Sequence, residues 1–260
     1  MSLRRIGLVA WHVFKESVRD RVLFAIAAFA LLLVAASVLI GQITAGQDVK
    51  IIKDIGLATL ELAGVLMAVF IGVGLVSREI ERKSVYSLLA KPVHRWEFVA
   101  GKYLGLVGTI VVNLLLMTIA LFVVLAWLEG KVPDPVLLKA VALILAELAL
   151  LTAVALFFST FSSSGILSAG LTLGVWVVGL FSEDLRGFSA IVDSPFVGAL
   201  VRSVGLIVPA FSAFDIKAEV VSGRPAVPWG YVAMTLAYAV CYAGALVGAS
   251  MAIFSRREFK

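Results

Sequence analysis

Charge is scarce in this 260-residue sequence: Asp, Glu, Lys and Arg make up 15% of it, against about 25% in soluble globular domains. Apolar residues reach 62%, against roughly 45–50% in such domains. That composition excludes an ordinary water-soluble fold. A single cysteine, Cys241, excludes an intramolecular disulfide and says nothing of redox compartment. No Gly-x-x-x-x-Gly-Lys-Ser/Thr run occurs, so the chain has no phosphate-cradling loop with which to hydrolyse ATP by itself. The His-Glu-x-x-His of zinc proteases and the Gly-x-Ser-x-Gly nucleophile turn are missing too. His12 and His94 each stand without Cys or carboxylate at ligand spacing, which predicts no metal site.

What is present is long apolar runs. Six of them, Val22–Gly41, Ile55–Val76, Leu104–Leu128, Val136–Phe158, Gly165–Phe181 and Gly230–Phe254, approach or exceed the ~20 residues that carry a helix across a ~30 Å hydrocarbon layer. They predict an all-α, polytopic membrane protein. The surplus of basic residues, net charge +5, then reads as orientation and not as nucleic-acid binding, because Lys and Arg collect on the cytoplasmic side of membrane spans. Arg4, Arg5, Lys15, Arg19 and Arg21 precede the first span; Arg78, Arg82, Lys83, Lys91, Arg95 and Lys102 lie between the second and third; Arg256, Arg257 and Lys260 follow the last. With six alternating spans these fourteen of the 22 basic residues share one side, which predicts both termini on the cytoplasmic side. The first span is too long, and its basic flank too spread out, for a cleaved secretory signal.

Ahead of the first span, Leu3, Ile6, Val9, Ala10, Val13, Phe14 and Val18 fall on one half of a helical wheel and Arg4, Arg5, His12, Lys15, Glu16 and Arg19 on the other. An amphipathic helix over 1–21 with Trp11 at its boundary either lies in the membrane interface or packs on protein. Gln42–Asp54 reads as a short polar linker. In "EGKVPDP", Glu129–Pro135, Pro133 and Pro135 stop the helix and favour a tight turn. The uncharged "STFSSSG", Ser159–Gly165, joins the fourth and fifth spans as a hairpin.

The stretch 182–229 contains "FVGALVRSVGLIVPAFSAF", Phe196–Phe214, nearly long enough to cross. As a seventh span it would send the basic C-terminal end outside and place Arg202 in hydrocarbon, at about 2.5–3.5 kcal/mol on insertion scales. It is expected instead to be an extracytoplasmic re-entrant or interfacial helix, starting near Ser194–Pro195, where proline suits a first turn, and breaking before Pro209.

The densest charge lies in "VSREIERKSVYSLLAKPVHRWEFVAGK", Val76–Lys102. No turn signal follows the second span, so its helix is expected to continue through Arg78, Glu79, Glu81, Arg82 and Lys83, end at Lys91–Pro92, and return to the membrane at Trp96 and Phe98. Two carboxylates lie within spans, Glu61 in the second and Glu147 near the middle of the fourth. Ionisable groups there are functional candidates: Glu147 either lines a substrate path, pairs across a dimer, or bonds to Asn113, Thr109 or a backbone carbonyl. Glu61 reads as structural, and Lys139 as snorkelling outward. Gly101/Gly105, Gly170/Gly174 and Gly244/Gly248 have the spacing of close helix approach and are assigned to packing within the bundle.

"SREIERKSVYSLLAKPVHRWEFVAGKYLG" resembles the signature region of the class-two ATP-binding-cassette (ABC-2 type) transporter permeases, and the likeness extends over essentially the whole chain. "LIVPAFSAFDIKAEVVSG", Leu206–Gly223, the Tyr-rich last span and "FSRREF", Phe254–Phe259, resemble the branch holding the permease of the nitrous-oxide-reductase copper-maturation system. The resemblance implies one transmembrane domain over 1–260, in a homo- or heterodimer docked on cytoplasmic ABC ATPase subunits. ATP and Mg would be bound by those partners and not by this chain. Residues 77–98 would be the coupling elbow, with Arg78, Glu79, Glu81, Arg82 and Lys83 making the contact, as fits a docking patch that needs charge-assisted, orientation-fixing bonds. The implied function is the permease subunit of an exporter. Two rivals remain: a subunit transmitting ATPase strokes to a periplasmic or envelope partner through Phe196–Phe214, and an intramembrane enzyme using Glu61 and Glu147 as acid and base.

Overall fold

The computed structural model describes residues 2–43, 48–81, 94–130, 134–162, 164–184, 187, 198, 201, 205, 207–222 and 227–256. Among them every regular element is helical: α1 (Ser2–Ser17), α2 (Arg21–Ile43), α3 (Asp48–Glu81), α4 (Arg95–Glu129), α5 (Val136–Phe161), α6 (Gly165–Leu180), a 3₁₀ turn at Phe211–Phe214, α7 (Lys217–Ser222) and α8 (Trp229–Arg256). Helix follows from the composition: a hydrocarbon layer offers no partner for a free backbone N–H or C=O, so a spanning segment must bond within itself.

Five helices, α2, α3, α4, α5 and α8, are long and apolar enough to cross a bilayer. The 16 residues of α6 rise only about 24 Å, so the sixth run is shorter than a full crossing. α3 and α5 form the centre, with 72% of each apolar window buried, against 28% for α2 and 22% for α8. Leu57, Leu60 and Met67 of α3 meet Leu148, Leu151 and Ala153 of α5 in one continuous core that also takes Leu106 and Leu121 of α4. Gly72 lets α3 approach closely: a Cβ there would stand 2.6 Å from the Ala155 Cβ.

Both ends of the bundle carry aromatic residues of the kind that sit at headgroup level. At one end Trp11 and Trp96 are exposed, and at the other Trp127, Trp229 and Tyr231. Several junctions match their sequence signals. The Asp20 carboxylate accepts from the Val22 N–H, 2.9 Å, and opens α2 as a helix cap. Gly130, at φ 64°, closes α4, its N–H bonded to the Ala126 carbonyl. Ser164 caps α6 by accepting from Leu167 and completes the α5–α6 hairpin.

The chain also departs from the sequence reading at the α2–α3 junction and at the glycine pairs. Gln42–Asp54 is not a linker throughout, because α2 runs to Ile43 and α3 already begins at Asp48. Its polar first turns are stabilised by the Lys53 ammonium, 3.0 Å from Glu129 at the end of α4, and by continuity with a long apolar helix that extends at little cost once nucleated. The glycine pairs also differ from one another. Gly101 and Gly105 pack against α1, where a Cβ would stand 2.6 Å from the Val9 Cβ or from the Ala10 carbonyl oxygen. Gly170, Gly174, Gly244 and Gly248 face open space within the protomer, so they do not pack the bundle.

α1 packs on protein along one side. Val13 is buried against α4, while Leu8 and Trp11 remain exposed on the same helix.

Candidate functional site

The polar centre of the molecule is assembled from four elements. Glu61 stands on α3 between buried Leu57, Leu60 and Val65, and Glu147 on α5 between buried Ile144, Leu148 and Leu151. Neither carboxylate is left bare, as the cost of a lone buried charge requires. The Lys217 ammonium at the start of α7 donates to Glu61 Oε2 and forms an ion pair with it. The Trp176 indole N–H of α6 donates to Glu147 Oε1 at 2.8 Å. Asp215 Oδ2 lies 3.6 Å from the same ammonium, and Asp215 Oδ1 accepts from the Lys217 backbone N–H at 3.1 Å, an Asx turn that starts α7. Glu61, Lys217 and Asp215 all act electrostatically on Glu147. The result is one network of three acids and one ammonium.

Lys217 lies outside the spanning helices. Burial alone would lower its pKa, but the hydrogen bond and charge of Glu61, with the charges of Asp215 and Glu147, outweigh burial and hold it above the ordinary lysine value of 10.5. A raised lysine contributes its full stabilisation below that value and loses it only as pH rises through the higher folded value. The pair is therefore charged on the lysine side throughout the physiological range.

The segment that delivers Lys217 is itself fastened deep in the bundle. Tyr242, 13 residues along α8, donates its hydroxyl to the Ile207 carbonyl at 2.6 Å; Tyr238 accepts from the Ala210 N–H at 3.1 Å; Tyr231 donates to the Ala213 carbonyl at 2.8 Å. These tyrosines bond backbone groups at 207, 210 and 213, on and around the break at 208–210. Phe211 and Phe214 are fully enclosed, Pro209 and Phe211 press against Gly179 of α6, and the Ser182 and Ser212 hydroxyls share a 2.8 Å hydrogen bond. The described helical positions of the segment stop at Ile207, ahead of Pro209.

The opposite end holds a second, simpler arrangement. α3 continues past its apolar window, which ends at Val73, to Glu81, so Arg78, Glu79 and Glu81 stand on its last turn. Arg82 and Lys83, with the rest of 82–93, lie outside the described residues, and 95–98 already belong to α4. At the start of α4 the Glu97 carboxylate accepts from the His94 N–H, 3.0 Å, and lies 3.9 Å from the Arg5 guanidinium of α1. Phe98 stacks on Phe254 near the end of α8 with ring centroids 6.0 Å apart. α1, α4 and α8 thus meet at the start of α4.

The sequence-derived candidates are partly brought together. Glu61 and Glu147 share the cluster. Asn113 does not supply the bond to Glu147, because its amide donates to the Thr109 carbonyl of its own helix at 2.9 Å, and the Thr109 hydroxyl to that of Gly105. Lys139 reaches the end of the bundle, but its ammonium meets the Val227 carbonyl at 2.8 Å and the Trp229 ring at 4.5 Å in place of water. Sequence reading passed over Lys217, Asp215 and Trp176. Charge balance pointed at the first: "DIK" at 215–217 sits in an otherwise apolar tract, and a buried carboxylate requires a cation.

A bundle with five apolar helices of spanning length, aromatic girdles at both ends and charge neutralised internally is a multi-pass membrane protein. Residues 8–258 match the model of the family described as ABC-2 family transporter protein, and the chain belongs to that family; it is a membrane permease subunit of an ABC transporter. No curated protein matches it.

Proposed function

We propose that the chain is the permease half of an exporter in the bacterial inner membrane, with both termini cytoplasmic, six membrane-inserted segments including the short α6, and a re-entrant segment within 182–229. It pairs with a second permease copy and with cytoplasmic ABC ATPases, which hold ATP and Mg. The observation that carries this reading is the extension of α3 to Glu81, about 12 Å beyond its apolar window. Residues 77–98 are then the coupling elbow and Arg78, Glu79, Glu81, Arg82 and Lys83 its contact set. Force received there is passed to α4 directly and to α1 through Arg5–Glu97 and the Gly101/Gly105 contact, with α1 lying at the membrane interface through Leu8 and Trp11. Glu61 and Glu147 border the substrate path; Asn113, satisfied within its own helix, contributes less. The narrower likeness to the nitrous-oxide branch rests on Leu206–Gly223 and Phe254–Phe259 alone.

The test is purification of the tagged chain from native membranes in mild detergent, with co-purifying proteins identified by mass spectrometry. An ABC ATPase recovered with the wild type and lost with Glu79→Arg/Glu81→Arg is the expected result. Its absence from a stable, monodisperse wild type would overturn the coupling assignment.

A further inference from the structure

α2 buries only 28% of its apolar window, and on its outer side it forms a groove with α3 of about 450 Å³, within the ~300–1,000 Å³ of ligand-binding clefts. Buried Ala30 and Ala63 line it with methyl groups alone, which leaves the room, while Phe29 and Leu62 line it and stay exposed, so it opens toward the lipid side. Apart from Arg21 and Thr59, every lining residue is apolar. α3 follows α2 after four residues and packs along it, which sets the two antiparallel: Leu33 and Thr59 stand at one end of the groove and Arg21 at the other. From Arg21 to Leu33 the helix rises about 18 Å, close to the depth of one leaflet of a ~30 Å hydrocarbon core. Arg21 begins α2 three residues after α1, whose exposed Leu8 and Trp11 place this end at headgroup level. Its side chain is exposed and makes no ion pair among the described residues. Lys15, Arg19 and Arg21 outnumber Glu16 and Asp20 there, which favours a headgroup of net negative charge over a zwitterionic one.

We propose that the α2–α3 groove binds an anionic phospholipid, with its phosphate on Arg21 and one acyl chain running past Ala25 and Ala30 toward Leu33 and Thr59. The guanidinium fork suits phosphate oxygens, which it can take in paired, charge-assisted bonds, and the apolar walls suit a chain of one leaflet's length. A second copy of the protein suits the site less well. Related by a twofold axis along the membrane normal, it would bring another arginine to the same depth, and like charges set against each other are costly. The site needs only that the bundle spans a membrane; it depends neither on the coupling assignment nor on which way round the protein sits.

The test places the full-length chain in phosphatidylcholine vesicles doped with phosphatidylglycerol that carries a photoreactive diazirine on one acyl chain, or with phosphatidylcholine carrying the same chain. After illumination, mass spectrometry measures the label on peptides holding 25–33 and 59–66. The phosphatidylglycerol probe is expected to label them several times more than the phosphatidylcholine probe. Arg21→Gln should lower its yield about fivefold, the scale of one basic residue at an anionic lipid surface, and Arg21→Lys should restore part of it. Ala25→Phe, at an exposed position in the wall, should lower the yield of both probes by filling the groove. Lys15→Gln, on α1 outside the groove, should leave the yields largely unchanged. Equal labelling by the two probes in wild type overturns the site, as does an Arg21→Gln yield equal to wild type. A loss with Lys15→Gln as large as with Arg21→Gln would mean diffuse surface attraction and overturns it too. Label that disappears from these peptides as the chain dimerises would assign the groove to a second copy, with the same consequence.

Discussion

A carboxyl group carried into a hydrocarbon layer must find a donor, and the two spanning glutamates solve this differently. Glu61 takes a full counter-charge from Lys217, whereas Glu147 takes the neutral indole of Trp176. Removing the donor should therefore be worse than neutralising the acceptor. Trp176→Phe keeps most of the ring volume but leaves Glu147 Oε1 without its partner, and is expected to cost about 1–3 kcal/mol. Glu147→Gln keeps a carbonyl oxygen for the indole N–H and should cost clearly less. Thermal unfolding of the detergent-solubilised variants, followed by circular dichroism, orders the two; equal losses would mean that the indole bond carries no weight. Lys139 obeys the same requirement, ending on the Val227 carbonyl and the Trp229 ring.

Among the elements, contact geometry separates glycines that the sequence presents alike. Gly101 and Gly105 allow the α1 backbone to lie against α4. Gly105→Val forces a side chain into the Ala10 carbonyl and should destabilise the protein by roughly 1–3 kcal/mol, as overpacking does, with α1 becoming accessible to protease. Gly244→Ala and Gly248→Ala enter open space, where replacing a helical glycine is worth roughly 0.5–1 kcal/mol in the stabilising direction. If the pair lies in a subunit interface, the same double variant will also shift the dimer fraction measured by light scattering; a higher melting temperature with unchanged association assigns that face to lipid. Gly179 belongs with the first group: Phe211 and Pro209 occupy the place of its missing Cβ, so Gly179→Val should displace the 209–214 turn and lower the melting temperature by a similar overpacking cost.

For the whole molecule, the two ends differ in chemistry. The Lys53–Glu129 pair, Lys139 and the start of α8 mark one, and α1, the start of α4 and the end of α8 the other. The proposed topology requires that a cysteine at Asp134, in the turn between α4 and α5, react with an impermeant maleimide in intact spheroplasts, and that one at Ser255 react only after lysis. The reverse pattern would invert the protein in the membrane and remove any cytoplasmic role for the end of α3.

The apolar runs by themselves determined the helical class and located the five long helices, because a spanning helix satisfies its own backbone and needs only length and hydropathy to be specified; the polar turns by which α3 and α4 extend beyond their runs were not marked by hydropathy. The break ahead of Pro209 was legible for the same local reason. What sequence could not supply was any pairing between distant elements. The α2–α3 junction reads as a short polar linker until Glu129 is brought beside Lys53. Glu147 was matched to the polar groups on α4 because nothing local marks Trp176 as its neighbour. Glu61 was left with no named cation, although Lys217 stood in the same tract that was being read for its break. Only the tertiary structure decided these partners, since a buried charge selects its neighbours by position in space, and 156 residues separate Glu61 from the ammonium that neutralises it.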